Sequence, residues 1–232
     1  FLIKKIKPNI THLISIKPIV IGGLISFITP VKSIVISVTG LGSLFLKESF
    51  ASKLREYFFL FIYRIIFLYP NLKVILQNKS DLNYLKKKSK LKIKKVVMIK
   101  GSGINLKKFK FSKITNHFPK ISMISRIIED KGIFEFIKAA ELLNKEKFKG
   151  KFYLIGNIDK SNPSYIEESI IDRWKKDKKV IILNHKKKIH QFIKNSSLIV
   201  LPSYREGFPK ILMEAASSGR PVVTTDVPGC RD

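Results

Sequence analysis

Hydrophobic positions along the chain follow two alternating patterns. Short apolar runs, rich in Ile, Val and Leu and closed by Gly, Pro or Asn, read as strands buried on both faces. They cover residues 10–16, 33–38, 73–77, 96–100, 121–124, 151–155, 180–183, 198–201 and 221–225. Between them, apolar residues recur every three to four positions and read as helices. These are 19–28, 48–68, 80–88, 132–144, 163–174, 189–193 and a last helix opening at Pro209. In 132–144 the apolar stripe is Ile133, Phe136, Ile137, Ala140 and Leu143. Ser80 or Asp81 is the predicted N-cap of its helix, and Gly219 the predicted C-cap of the last one. Pro209 suits a first helical turn, where its missing N–H costs nothing.

Strand–helix alternation on both sides of a Gly-rich stretch predicts an α/β fold on parallel sheets. We assign residues 1–105 to one domain, 106–116 to a linker and 117–232 to a second domain. The chain has no initiator Met and stops in a loop just after a strand. It is therefore expected to be an internal piece of a longer protein with both domains incomplete. Apolar surface is expected to lie uncovered near Val222–Thr225.

One segment resists the alternation. "YFFLFIYRIIFLY", 57–69, is apolar all round, too short to span a bilayer, and carries Arg64. A buried helix is expected, with an interfacial helix as the alternative. The apolar stretch 19–46 is broken by Pro30 and by paired glycines, so it is not expected to cross a membrane either.

Charge changes the picture. Net charge is +28, and 38 of the 45 basic residues are Lys. With so little Arg for bidentate base contacts, a specific nucleic-acid reader is not expected. Attraction to an anionic membrane surface and a plain compositional bias both remain. The single cysteine, Cys230, excludes an internal disulfide and a cysteine-based zinc site.

Candidate chemistry gathers where strands end, because parallel sheets bind ligands at their carboxyl edge. In "SYREGFPKILMEAASSGRPVV" the order is loop, helix, strand. Glu206 falls in the loop mouth and Glu214 about one turn into the helix. Free N–H groups at that helix start favour an anion, typically phosphate. In "SRIIEDKG", Arg126 closes a strand, and Lys131 and Gly132 open the next helix. Both cations thus lie at the same sheet edge. In "GSGINLKKF", Gly101 and Gly103 let backbone approach a ligand closely. Gly156 ends the strand "KFYLI". The alternative is an ordinary strand–helix–strand unit in which both carboxylates are solvated.

"E-G-F-P-x-x-x-x-E-A", followed by "S-G-x-P-V-V", resembles the signature of the family 4 retaining glycosyltransferases, and "R…KG" resembles their diphosphate-binding element. The resemblance implies two Rossmann-like domains facing across a cleft, the GT-B architecture, and a nucleotide-sugar donor. It implies that Glu206 touches the donor sugar and supports positive charge at its anomeric carbon. Glu214 would accept from the ribose, and Arg126 and Lys131 would neutralise the diphosphate with no cofactor or metal. It places Gly101, Gly103, Gly156, Gly207, Phe208 and Pro209 around the donor. Asn184 stands where the family usually has Gly in its base-binding loop.

The first half resembles a bacterial branch that builds surface polysaccharide on lipid carriers. His12 and Lys17 would lie on the acceptor side, although Ile14 replaces the second His of many relatives. Implied partners are a nucleotide sugar, a glycan or polyprenyl-diphosphate-linked acceptor, and an anionic membrane surface. The implied location is cytoplasmic, peripheral at the inner face of the membrane. Two other classes remain: another GT-B sugar enzyme, such as a phosphorylase or epimerase, and a basic nucleic-acid- or membrane-binding module.

Overall fold

The computed structural model describes residues 2–42, 49–115, 118–184 and 188–232. The predicted helix start at Glu48, part of the Gly-rich loop after residue 42, position 116 of the predicted linker, position 117 of the predicted second domain and residues 185–187 of the predicted base-binding loop lie outside the described residues. Contacts divide the chain into two compact units. One is Phe1–Ser102 with Glu206–Phe208 and Asp232; the other is Gly103–Arg205 with Pro209–Arg231.

The first unit holds a parallel sheet of β1 (Ile10–Ile14), β2 (Ser33–Val38), β3 (Leu72–Leu76) and β4 (Val96–Met98), in the order β1-β2-β3-β4. Its helices are α1 (Leu2–Ile6), α2 (Ile16–Ile25), α3 (Phe50–Ile66) and α4 (Lys79–Ser89). Ile34, Ile36, Val74 and Leu76 of the central strands are buried with Ile19 of α2 and Ile66 of α3. Several boundaries differ from expectation, two of them for a clear local reason. Helix α2 begins three residues early and includes Pro18, because first-turn N–H groups have no intrahelical acceptor and the ring costs nothing there. Helix α4 is capped by neither Ser80 nor Asp81. Asn78 takes the extended cap conformation, and its side chain accepts from the Asp81 N–H at 2.7 Å.

The predicted all-round burial of 57–69 is corrected by the structure. One side of α3 packs inward through Leu60, Ile62, Tyr63 and Ile66, while Tyr57, Phe58 and Phe61 are exposed. A four-stranded sheet covered on that face by adjacent helices leaves α3 only one side to bury.

The second unit contains β5 (Lys120–Ile124), α5 (Ile133–Lys145), β6 (Lys151–Ile155), α6 (Glu168–Asp177), β7 (Ile181–Leu183), α7 (Ile189–Lys194), β8 (Leu198–Leu201), α8 (Lys210–Ser217) and β9 (Val222–Thr224). Its sheet is parallel throughout, in the order β7-β6-β5-β8-β9. The predicted stripe of α5 is buried at Ile133, Phe136, Ile137 and Ala140. Helix α6 starts at Glu168, five residues after the predicted Pro163. Residues 162–166 are used otherwise: the Asn162 side chain accepts from the Ser164 N–H at 2.9 Å, Tyr165 bridges to Ile128, and Ile166 is buried. On the outer strand β9, Val222 and Val223 are exposed.

Candidate functional site

In the second unit, strand order reverses between β5 and β8. That is the switch point at which the carboxyl ends of neighbouring strands leave room for a ligand. A cavity of about 610 Å³ opens there. Ile124, Ser125 and Arg126 line it from the end of β5, and Ile155, Gly156 and Asn157 from the end of β6. Lys210, Ile211 and Glu214 enter from α8, and Asn105, Lys108 and Phe109 from the segment that opens the unit. The lining is cationic with one carboxylate. The α8 N-cap, Pro209, makes no side-chain cap, so first-turn N–H groups keep their capacity for an anion.

Close backbone approach makes this edge possible. A Cβ on Gly156 would stand 1.7 Å from the Ser125 carbonyl oxygen. A side chain there would push the ends of β5 and β6 apart at the cavity wall. Gly132, at φ +76°, has a left-handed backbone, and its Cβ would stand 2.1 Å from the Pro202 carbonyl oxygen after β8. Gly132→Ala and Gly156→Ala are each expected to destabilise the fold by about 3 kcal/mol, both by overpacking against a backbone carbonyl and Gly132→Ala by backbone strain as well. Denaturant titration checks this.

Arg126 reaches the cavity with its guanidinium about half exposed, and its Nη1 donates to Asp159 at 2.7 Å. Ser161 and Arg126 hold the Asp159 carboxyl below the usual carboxylate range. An exposed pair of this kind contributes little to stability, so a bound anion displaces it at small cost. Lys131 does not line the cavity. It sits in a 3-10 turn, Glu129–Lys131, on the adjoining loop. That turn is fixed to the loop after β8 by the Tyr204 N–H donating to the Asp130 carbonyl at 3.0 Å.

Glu214 faces the cavity from α8, where burial pushes its carboxyl above the usual range while Lys210 and Lys108 pull it down. Pro209 is buried at the start of that helix, and Gly219, at φ +73°, follows its end. Glu206, Gly207 and Phe208 group with the first unit. Gly101 and Gly103 have left-handed backbones on either side of the unit boundary and do not line the cavity. His12 Nε2 lies 2.8 Å from Ser37 Oγ, bridging β1 and β2. Lys17 is exposed in the first turn of α2. Arg126, Gly156 and Glu214 are therefore brought together around one cavity, and His12 and Lys17 are not part of it.

Sequence reasoning missed Asp159, the lining residues Lys108 and Phe109, and Arg220. Arg220 is 2% exposed. Its guanidinium donates to the Ser218 carbonyl at 3.1 Å, the Ser196 carbonyl at 3.2 Å, and the Ser112 hydroxyl at 3.0 Å, and also to the Ser112 carbonyl. Ser217 Oγ donates to the Phe109 carbonyl at 2.6 Å. These bonds fasten residues 109–112, part of the predicted linker, to the end of α8. Phe109 and Lys108 are thereby held against the cavity. Arg220→Ala is expected to cost about 3 kcal/mol, since charge-assisted bonds to buried carbonyls are lost together. It should also weaken any ligand of the cavity; thermal unfolding and ligand titration check the two effects separately.

The sequence model of the family described as "Glycosyl transferases group 1" matches residues 104–232. The Campylobacter jejuni N,N'-diacetylbacillosaminyl-diphospho-undecaprenol alpha-1,3-N-acetylgalactosaminyltransferase is 32% identical over 206 residues, 83% of this chain and 52% of that protein. The capsular polysaccharide biosynthesis glycosyltransferase CapM of Staphylococcus aureus is 27% identical over 100% of this chain and 62% of its own. The chain thus spans between half and two thirds of these relatives' length. Among solved structures, the Anabaena protein Alr3699/HepE in complex with UDP-glucose superposes with a TM-score of 0.77 at 19% identity, covering 96% of this chain and 61% of that one. Sucrose-phosphate synthase from Thermosynechococcus elongatus gives 0.79 at 20% identity, over 99% and 59%. These likenesses establish a GT-B fold.

Proposed function

The chain belongs to the group 1 glycosyl transferases, and on that premise we propose that the whole protein transfers a sugar from a nucleoside-diphosphate donor to a hydroxyl of a glycan or polyprenyl-diphosphate-linked acceptor, retaining anomeric configuration. One observation carries the reading: the cavity at the switch point combines Arg126, Lys108 and Lys210 with Glu214 and an uncapped helix start. Such a set suits a diphosphate joined to a ribose. The UDP-glucose in the Anabaena structure and the lipid diphosphate in the Campylobacter protein's name support the donor and acceptor classes.

The chemistry follows from charge. Breaking the bond between sugar and phosphate leaves negative charge on the diphosphate. Cations already in place stabilise it as it develops, without reorganisation. Opposite unit charges ~4 Å apart attract by about 4 kcal/mol at an effective dielectric near 20. Arg126 takes this role from the cavity wall, and Lys131 joins it from the adjoining turn. Glu214 accepts from the ribose hydroxyls. Glu206 binds the sugar's hydroxyls and supports the positive charge left at its anomeric carbon. The acceptor hydroxyl attacks from the face the diphosphate leaves, and a leaving phosphate oxygen takes its proton.

A donor screen on the full-length protein, reading nucleoside diphosphate release, tests the assignment. One nucleotide sugar should be turned over in a reaction that requires acceptor. No release from any nucleotide sugar, with candidate acceptors present, would refute it. Because protein cations neutralise the diphosphate, turnover should persist in excess EDTA; loss of activity restored by a divalent cation would contradict that part.

A further inference from the structure

We propose that Asp159 is a built-in counter-anion for Arg126, one that occupies its guanidinium while the cavity is empty and thereby sets the affinity of the site for donor and for product diphosphate. The proposal rests on the reading of this cavity as a nucleoside-diphosphate site. The cavity sets Arg126, Lys108 and Lys210 around one carboxylate, Glu214. With no ligand between them the cations face one another, and an internal anion relieves part of that repulsion. Asp159 is placed to do so. Its Oδ2 accepts from Arg126 Nη1 at 2.7 Å, and its Oδ1 accepts from the Ser161 hydroxyl at 2.7 Å. The Ser161 bond first, and the Arg126 bond after it, hold the carboxyl below the usual range, so Asp159 is charged wherever a diphosphate is. It stands outside the cavity lining and meets a ligand only through Arg126.

The loop that presents Asp159 is tied down. The Ile127 N–H donates to the Asn157 carbonyl at 2.9 Å, and the Glu129 N–H to the Ser164 carbonyl at 2.8 Å. Both ends of residues 157–164 are therefore fastened to the segment that follows β5. Within the loop, the Asn162 N–H donates to the Asp159 carbonyl at 3.0 Å. A short side chain on such a loop has little room to travel. Arg126 is the mobile partner, being longer and having 56% of its side chain exposed against 23% for Asp159. An arriving diphosphate draws the guanidinium away from a stationary carboxylate. When product leaves, the carboxylate takes the guanidinium back. Donor and product thus both bind in competition with Asp159.

Isothermal titration of the full-length protein, with a set of nucleoside diphosphates and the matching nucleosides, tests this. Asp159→Asn keeps the shape of the side chain. It should bind the preferred diphosphate about three- to fivefold tighter, the scale of an exposed ion pair, with melting temperature kept and nucleoside affinity unchanged. The gain should vanish when Arg126→Ala is added, which a general loss of negative charge would not produce. Equal or weaker diphosphate binding by Asp159→Asn, an equal gain for the nucleoside, or the same gain with Arg126→Ala present would overturn the proposal alone. No diphosphate binding by the wild type or by Asp159→Asn would overturn it together with the reading of the cavity.

Discussion

Arg126→Ala in the full-length protein is expected to lower kcat by roughly 100- to 1,000-fold, the range seen when one preorganised stabiliser of transition-state charge is removed. Arg126 ends no core contact. Its side chain is more than half exposed, and its partner Asp159 is itself on the surface. Loss of the pair should leave the melting temperature nearly unchanged, so an activity loss could not be blamed on unfolding. Arg126→Lys is expected to recover only part of the rate. A compact ammonium restores the charge but not the planar fork that grips two phosphate oxygens. Lys131→Ala should also reduce kcat, but less, because Lys131 stands on the adjoining turn outside the cavity lining. Steady-state kinetics with melting curves on all three variants is the check. Wild-type turnover in Arg126→Ala would remove Arg126 from the site.

Glu214→Gln and Glu206→Gln should fail in different ways. If Glu214 holds the ribose equally in ground and transition states, its loss should raise the donor KM, by about tenfold or more, with kcat little changed. If Glu206 supports charge that appears only as the bond breaks, its loss should instead lower kcat by tens- to hundreds-fold with KM steady. Near-wild-type constants in both would mean the two carboxylates are merely solvated.

The raised pKa of Glu214 adds a pH dependence. Its native carboxyl holds a proton more tightly than the unfolded chain, whose value is near 4.3. The stability it contributes is therefore present below about 4.3 and lost as pH rises through the higher native value. At neutral pH the ionised group is a small liability, and Glu214→Gln should keep or raise the melting temperature. With the ribose role proposed for Glu214, donor binding is expected to run the other way, because ribose hydroxyls would donate to the ionised form. The donor KM should climb as pH falls through the raised native value, and the Gln variant should lack that climb. A KM profile as steep in the variant as in the wild type would assign the titration to another group.

Much of the fold was legible because a parallel sheet buries both faces of each strand. Runs such as Ser33–Val38 and Lys151–Ile155 can then be little else, and both match the observed strands. Where periodicity was ambiguous, local hydrogen bonding decided. Asn78 outcompeted Ser80 and Asp81 as a cap because it stands two residues after β3 and adopts the extended conformation a cap requires. Residues 162–166 were given up to a turn and a bridge, a long-range choice that no helical wheel records.

The cavity lining was legible where motif and sheet edge coincide, as at Arg126, Gly156 and Glu214, which one cavity brings together. It was illegible where partners meet only in the tertiary fold. Asp159 lies 33 residues from the guanidinium it pairs with. Arg220 lies 108 residues from Ser112 and carries no local mark of its buried clamp. The outward side of α3 looked identical to its inward side in sequence, since both are aromatic and aliphatic. Only neighbouring elements decide which side is covered.

The central claim is that the cavity between β5 and α8 holds the diphosphate and ribose of a nucleotide. Isothermal titration of the full-length protein with a set of nucleoside diphosphates tests it without needing an acceptor. The account predicts saturable binding of one of them, weakened at least about tenfold in both Arg126→Ala and Glu214→Gln. Binding of none, or equal affinity in the wild type and both cavity variants, would contradict it.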